Sequence, residues 1–378
     1  MDLKTKIPLV SLFTGGGFLD MGFEMAGFDI VWSNEYDKIF AELHSFGMTE
    51  WRTKNGNQNK AEIFNSKSIS ELRPEQIVEE VFPTGKPLIW GIIGGPPCQD
   101  FSLNGNLNGF SGERGKMTII FFDWIQKLKP SFFVMENVPG LMHHKDNRKI
   151  LNAIVEKHCK RDYHMDWFIL NALDYGVPQN RERVFIIGIK KNDFNPPLKE
   201  TIYCNLFHLK FKLPIPKYKN ARIKFNWPGP SPFGEAPTIP YGIPEELFVN
   251  KCLTTQEDIK NEVANLFEYF PLVKDPEKRK LIYEGETKRQ SFKRLHRYRY
   301  SPTACYGNNE VHLHPYKNRR LSVRESLRIQ GVPDSYVLPQ EISLSKKFKM
   351  IGNGVPVPLA FEVAKSLRKF IEYYKVHP

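Results

Sequence analysis

Cysteine is scarce in this chain and badly placed for cross-linking. The five cysteines stand at 98, 159, 204, 252 and 305, an odd number at wide spacing, which builds neither a disulfide framework nor a zinc-ligand pattern. No metal is expected, and a reducing cytoplasm is the natural setting. Long apolar runs are missing as well. Nowhere do 18 consecutive apolar residues occur, and the amino terminus, MDLKTKIPLVSLFTGGG, has only a short apolar run before its glycines. A membrane span and a targeting leader are therefore not expected. Internal repeats and low-complexity tracts are absent too, which excludes solenoids and disordered tails. Acidic residues are in deficit: 42 Asp and Glu face 54 Lys and Arg, for a net charge of +12. Such a balance suits a partner rich in phosphate.

What the chain does have is enough material for one large domain and a smaller one, with 378 residues, 41% hydrophobic and 13% aromatic. Short apolar runs at 9–13, 30–32, 88–93, 132–135, 167–170 and 184–189 end abruptly in Gly, Pro, Asn or acidic residues. Most are separated by helix-length segments such as 116–128, so they read as buried strands of a largely parallel sheet, an α/β fold through about residue 190. From 196 to 276 the texture changes, with twelve prolines and stretches such as Asn226-Trp-Pro-Gly-Pro-Ser-Pro. Long helices would be broken there repeatedly, and a second, irregular strand-and-loop domain is expected. Between Lys199 and Arg320 there are 22 basic against 13 acidic side chains, so most of the excess charge lies in about a third of the chain. After Arg320 periodicity returns, and Leu359, Val363, Leu367, Phe370 and Ile371 fall on one face of a closing helix that would dock on the first domain.

Chemistry concentrates where the expected strands end. The first runs into Phe13-Thr14-Gly15-Gly16-Gly17, and the second ends in Asn34-Glu35. Glycines at a strand-to-helix turn let a ligand approach the backbone, and an acid about 20 residues on can bond a ribose hydroxyl pair. A nucleotide cofactor or a merely structural turn both fit, and the spacing departs from Gly-x-Gly-x-x-Gly. The 88–93 strand ends in Gly94-Gly95-Pro96-Pro97-Cys98-Gln99-Asp100-Phe101-Ser102. A lone cysteine is commonly a small buried apolar residue. At the carboxyl end of a strand, aimed by a rigid Pro-Pro pair, it is instead placed as a nucleophile. The next strand ends in Met135-Glu136-Asn137, where a carboxylate near apolar neighbours could hold a raised pKa and donate a proton, unless it is simply solvated. Arg181 and Arg183 flank Glu182 at the start of the 184–189 strand; at most one of them is expected to face the crevice, and a salt bridge to Glu182 is the plain alternative.

Taken in this order, the segments have a family likeness. The chain resembles the cytosine-5 DNA methyltransferases, most closely the single-chain bacterial modification enzymes, through SLFTGGGFLDMGFEMAG, SNE, GGPPCQDFS, MENVPGL, ALDYGVPQNRERVFIIG, RRLSVRESLRIQGVPDSY and KMIGNGVPVPLA. The likeness covers the whole length except about 195–300. It implies a Rossmann-like S-adenosylmethionine-dependent methyltransferase sheet in a catalytic domain at 1–194. A smaller, irregular, β-rich target recognition domain with its hinge would follow at 195–340, and a carboxyl-terminal segment at 341–378 would return to the first domain.

The resemblance also assigns roles. The family's attacking thiolate corresponds to Cys98, its proton donor to ring nitrogen 3 to Glu136, and its arginine on the ring carbonyl to Arg183, with Arg181 as companion. Cofactor contacts correspond to Phe13, Gly15, Gly17, Glu35, Tyr36, Pro97, Asn353 and Val355, the last two implying that the carboxyl-terminal segment lies beside the first strand. Where the family has Gly-Asp-Ile at the adenine, this chain has Lys67-Ser68-Ile69, and Ser68 takes the corresponding place. The implied partner is double-stranded DNA, met by Gln99 and Ser102 and by a basic track at 287–300 that holds Lys293, Arg294, Arg297 and Arg299. A solvated basic face is the alternative reading of that track. The implied setting is a restriction system, the enzyme a monomer that forms no stable complex with a cognate endonuclease. Two other readings remain: a tRNA-directed member of the superfamily, and a DNA-binding regulator without activity. A nicotinamide dehydrogenase would leave Pro-Cys-Gln and Gln-x-Arg-x-Arg unexplained.

Overall fold

The computed structural model describes residues 6–57, 62–97, 113–195, 211–212, 214–272, 275–306 and 311–375. Strand and helix alternate through the first half: β1 (Ile7–Leu12), α1 (Phe18–Met25), β2 (Phe28–Asn34), α2 (Lys38–Lys54), β3 (Ile63–Asn65), α3 (Pro74–Val81), β4 (Gly91–Gly94), α4 (Glu113–Leu128), β5 (Phe132–Asn137), α5 (Gly140–His143), α6 (Lys145–His158), β6 (Tyr163–Asn171) and β7 (Glu182–Lys190). They form one seven-stranded sheet in the order β3-β2-β1-β4-β5-β7-β6. Every pairing is parallel except those of β7, which runs antiparallel to both β5 and β6. The α/β sheet and its largely parallel character are as the apolar runs predict. The expected strand at 88–93 starts later, since Leu88 is exposed and burial begins at Trp90.

Alternating side chains separate the two faces of the sheet. Val10, Leu12, Ile92, Phe133, Met135, Val184 and Ile186 enter one core with residues of α3, α4 and α6. Leu9, Ile93, Phe132, Val134, Phe185 and Ile187 enter another with α1 and α12 (Val357–Tyr374). The apolar stripe of α12 is buried in that second core, and Gly22 of α1 allows the two helices to touch: a Cβ there would lie 2.5 Å from Ala360 Cβ. The closing helix thus docks on the first domain as its periodicity predicts.

Beyond β7 the chain forms short pieces: α7 (Ala221–Lys224), α8 (Gln256–Lys260), α9 (Pro276–Lys280), β8 (Lys293–Arg294), β9 (His312–Leu313), α10 (Val323–Ile329) and α11 (Leu344–Asn353). The expectation of a β-rich second domain is corrected here. Among the described residues after β7 the only named strands are β8 and β9, two residues each. Prolines remove ladder donors, and the loop carbonyls are satisfied instead by guanidinium groups. Arg294 donates to the carbonyls of Ile282, His314 and Arg279, Arg299 to that of Pro228, and Arg324 to those of Ala264 and Tyr336. Residues Ala304, Tyr306, Val323, Leu327 and Tyr336 share a core with Phe18 and Met21 of α1 and Phe40 and Leu43 of α2.

Candidate active site at the carboxyl edge of the sheet

β1 lies between β2 and β4, so the chain winds away in both directions from this point, the place in an open α/β sheet where the carboxyl ends of strands face a ligand crevice. The turn after β1 is unusual. Phe13, Gly15 and Gly17 all take positive φ (57°, 56° and 78°), a conformation costly for an aromatic residue and free for glycine. A Cβ on Gly15 would meet nothing within 4 Å, whereas one on Gly17 would lie 2.7 Å from the His44 ring. Gly17 is required by packing, while Gly15 presents open backbone. Glu35, at the end of β2, accepts from Gly15 N at 2.9 Å and from Asp37 N at 2.8 Å. Burial pushes its carboxyl above the ordinary value, although both amides pull the other way. The open glycine turn with a carboxylate beside it fits a nucleoside with free ribose hydroxyls.

Of the other expected cofactor residues, Tyr36 is exposed beside Glu35 and Ser68 is partly buried, its hydroxyl 2.7 Å from that of Ser70. Asn34 donates to the carbonyls of Asn65 and Lys67 and so holds the Ser68 loop against the end of β2. Val355 is buried in the core that contains Leu9 and α1 residues, and a Cβ on Gly354 would strike Phe18. This places the carboxyl-terminal segment beside the first strand. Asn353 is exposed at the end of α11.

Sequence reasoning passed over Asp20. Fully buried in α1, it accepts from Ser11 at 2.6 Å and from Thr14, and lies 3.3 Å from His44 Nε2. Burial opposes its charge, but His44 and the two hydroxyls hold the carboxyl below its ordinary value. It fastens the glycine turn from beneath. The available signal was a carboxylate inside the apolar stretch Phe18-Leu19-Asp20-Met21.

On the other side of the switch point, the last residue but one of β5 is Glu136, whose Oε1 is 2.8 Å from Arg183 Nε. Both side chains are about a tenth exposed. Burial raises the Glu136 carboxyl above its ordinary value; the charges of Arg183 and Arg181 oppose that rise without cancelling it. Asn137 donates to Pro96 O at 3.2 Å, and a Cβ on Gly95 would lie 3.0 Å from Glu136 Oε2. The Gly-Gly-Pro-Pro turn is thereby tied to the acid, with Pro97 its last described residue. Cys98, Gln99 and Ser102 lie outside the described residues.

Arg181 does not join this pair. Completely buried, it donates to Ala304 O at 3.0 Å and to Gly352 O at 2.6 Å. Its guanidinium clamps β7 to the 301–306 segment and the end of α11, and it reaches the expected catalytic acid through its charge rather than through a hydrogen bond. Gln179 extends the clamp, donating to Ile329 O and Gln330 and accepting from Ala304 N. The basic track is corrected in part as well. Arg294 is fully buried on carbonyls, and Arg297 is bound to Glu284 and to Glu235 O. Arg299 donates to Pro228 O, and Lys293 is half-buried on β8. Folding uses Arg294, Arg297 and Arg299 internally, and position along the chain does not reveal this. Among the described residues, no group of three or more His, Cys, Asp or Glu is placed to hold a metal ion, and no helix is long and apolar enough to cross a membrane.

The description C-5 cytosine-specific DNA methylase belongs to the family model that matches residues 7–369. The chain belongs to this family. It is 36% identical over 377 residues to the type II methyltransferase M.NmeDI of Neisseria meningitidis serogroup C, covering 98% of this chain and 85% of that one. It is 30% identical over 384 residues to M.MthTI of Methanothermobacter thermautotrophicus, covering 97% and 98%. Among solved structures, a DNA modification methyltransferase encoded in an Escherichia coli prophage superposes with a TM-score of 0.60 at 24% identity, over 97% of this chain and all of that one. Dnmt2 methyltransferase of S. pombe gives 0.57 at 14% identity, over 98% and 99%. These structural likenesses establish the fold. Membership of the family makes the chain a DNA cytosine-5 methyltransferase and implies S-adenosylmethionine, to which the open turn at Gly15 and the carboxylate of Glu35 are suited.

Proposed function

We propose that the chain is the modification enzyme of a type II restriction system, a monomer that methylates carbon 5 of one cytosine within a specific duplex sequence through a covalent adduct with Cys98. The observation that carries this reading is the buried Glu136–Arg183 pair, 2.8 Å apart and tied through Asn137 to the turn that leads into Cys98. An acid and a cation held together beside a candidate nucleophile are the groups that cytosine activation needs.

In this reading the Cys98 thiolate adds to carbon 6, forming the C6–S bond, and the displaced π electrons make carbon 5 nucleophilic. Glu136, whose carboxyl burial holds above its ordinary value, would give a proton to ring nitrogen 3, and Arg183 would donate to the ring carbonyl, which together stabilise the charge as it develops. Phe13, Gly15, Gly17, Glu35, Tyr36, Ser68, Pro97, Asn353 and Val355 would hold S-adenosylmethionine, which when bound would supply the methyl group to carbon 5 as its methyl–sulfur bond breaks and the sulfonium becomes a neutral thioether. Loss of the carbon 5 proton to a base, return of the nitrogen 3 proton to Glu136 and departure of the thiolate restore the aromatic ring. A stacked cytosine is out of reach of these groups, so the base must rotate out of the duplex at a cost of a few kcal/mol. Residues 195–340, with Gln99 and Ser102, would supply the compensating contacts. Duplex DNA containing 5-fluorocytosine at the target should trap the enzyme, since fluorine cannot leave as the proton does. The adduct should survive denaturing electrophoresis, require S-adenosylmethionine, and vanish with Cys98→Ser. Trapping by Cys98→Ser, or none by the wild type on a site it methylates, overturns the covalent route.

A further inference from the structure

We propose that Arg279 and Arg320, gathered on the ring of Phe292, form a binding site for backbone phosphate of duplex DNA. The site rests on the duplex substrate of the proposed function.

The Arg279 guanidinium carbon lies 3.6 Å from the centroid of Phe292, and that of Arg320 lies 5.7 Å from the same ring. Arg320 is also 5.3 Å from the ring of Phe270, which stacks on Phe348 of α11 with centroids 5.5 Å apart. The aromatic rings thus fix two cations in one place. Neither has a carboxylate partner among the described residues, and the Nε of each is buried without a hydrogen-bond acceptor. Nearby acids are already engaged: Asp275 pairs with Lys278 and Glu277 with Lys280. Burial first, and the charge of Arg279 second, press the Arg320 guanidinium below its ordinary value. Two like charges with no internal partner are relieved by an external anion, and planar guanidiniums match phosphate oxygens. The surrounding arginines differ in this respect. Arg297, Arg319 and Arg328 are bound to Glu284, Glu325 and Asp258, and Arg294 is spent on carbonyls. Both Arg279 and Arg320 remain partly accessible.

The test is duplex binding by the full chain at several salt concentrations, on cognate and scrambled duplexes, for wild type, Arg279→Gln, Arg320→Gln and the double variant. S-adenosylmethionine affinity and thermal midpoint serve as controls of folding. The double variant should lower the slope of log affinity against log salt by about one unit per lost phosphate contact, equally on both duplexes. A slope unchanged in a double variant that folds and binds S-adenosylmethionine normally overturns the proposal, while methylation by the wild type leaves the function standing. Should the double variant fail to fold, a scan of wild type and Arg320→Gln over duplexes carrying one methylphosphonate each decides. The neutralised position that weakens wild type should not weaken Arg320→Gln further, and additive losses at every position reject the site.

Discussion

Glu136 Oε1 and Arg183 Nε meet at 2.8 Å across neighbouring antiparallel strands, at the edge of the sheet where the Gly94-Gly95-Pro96-Pro97 turn also ends. The pair is buried, and burial prevails over the arginine in setting the state of the carboxyl. Glu136→Gln keeps the shape and removes the proton. Methyl transfer should fall by about 10²–10⁴-fold, with S-adenosylmethionine affinity unchanged. A raised carboxyl loses its proton as pH rises through the elevated value, so wild-type turnover should lose a contribution on the alkaline side that the variant never had. Single-turnover rates against pH measure this, and a variant as fast as the wild type contradicts the role.

Glu35 is held in place before any ligand arrives, by the amides of Gly15 and Asp37. Glu35→Ala should weaken S-adenosylmethionine binding by roughly ten- to a hundredfold, the worth of a lost charged hydrogen bond. The rate at saturating cofactor should change little. A raised Kd by calorimetry with an intact kcat agrees with a ribose contact; an unchanged Kd does not.

Arg181 joins β7 to two distant carbonyls, those of Ala304 and Gly352. Arg181→Met should cost about 3 kcal/mol or more, since two buried carbonyls lose charged donors. It should also weaken S-adenosylmethionine binding, because Gly352 immediately precedes Asn353. Thermal denaturation and cofactor titration measure both, and a stable variant with selectively lost turnover would restore Arg181 to the chemistry.

Burial alone would raise the Glu325 carboxyl, but two hydrogen bonds from Arg319, with further help from His314 and the Ser322 amide, bring it down to about 2. A depressed carboxyl stabilises the fold above its unfolded pKa, and that stability is lost as pH falls toward the folded value. The contribution should fade between roughly pH 4.5 and pH 2. Glu325→Gln should be destabilised by about 3–5 kcal/mol at pH 7, as for a broken buried pair, and should show a flatter acid transition. Equal acid sensitivity in the two proteins would contradict the assignment.

The parts of the fold that sequence foretells are those set by neighbours along the chain. Buried strands read as continuous apolar runs, and Phe13 to Gly17, Glu35 and Glu136 sit where such runs end. The reversal of β7 was not legible, because strand direction depends on where the chain re-enters the sheet. The expectation that alternation separates Arg181 from Arg183 fails, because residues two apart on a strand share a face; the difference between them depends on carbonyls more than 120 residues away. The basic track misled for a related reason. A proline-rich region without ladders needs donors for its carbonyls, and arginine supplies them, so a run of charge that suggests phosphate contacts is largely internal scaffolding. Asp20 escaped notice because its partners Ser11, Thr14 and His44 become neighbours only after folding.

Transfer of a methyl group to carbon 5 of cytosine in duplex DNA is read most directly from the modified nucleoside. Purified protein should be incubated with S-adenosylmethionine labelled in its methyl group and duplex DNA, and the digested nucleosides separated. Label should appear in 5-methyldeoxycytidine and be lost with Cys98→Ser. Label in another nucleoside, or transfer to tRNA with none to duplex DNA, would contradict it.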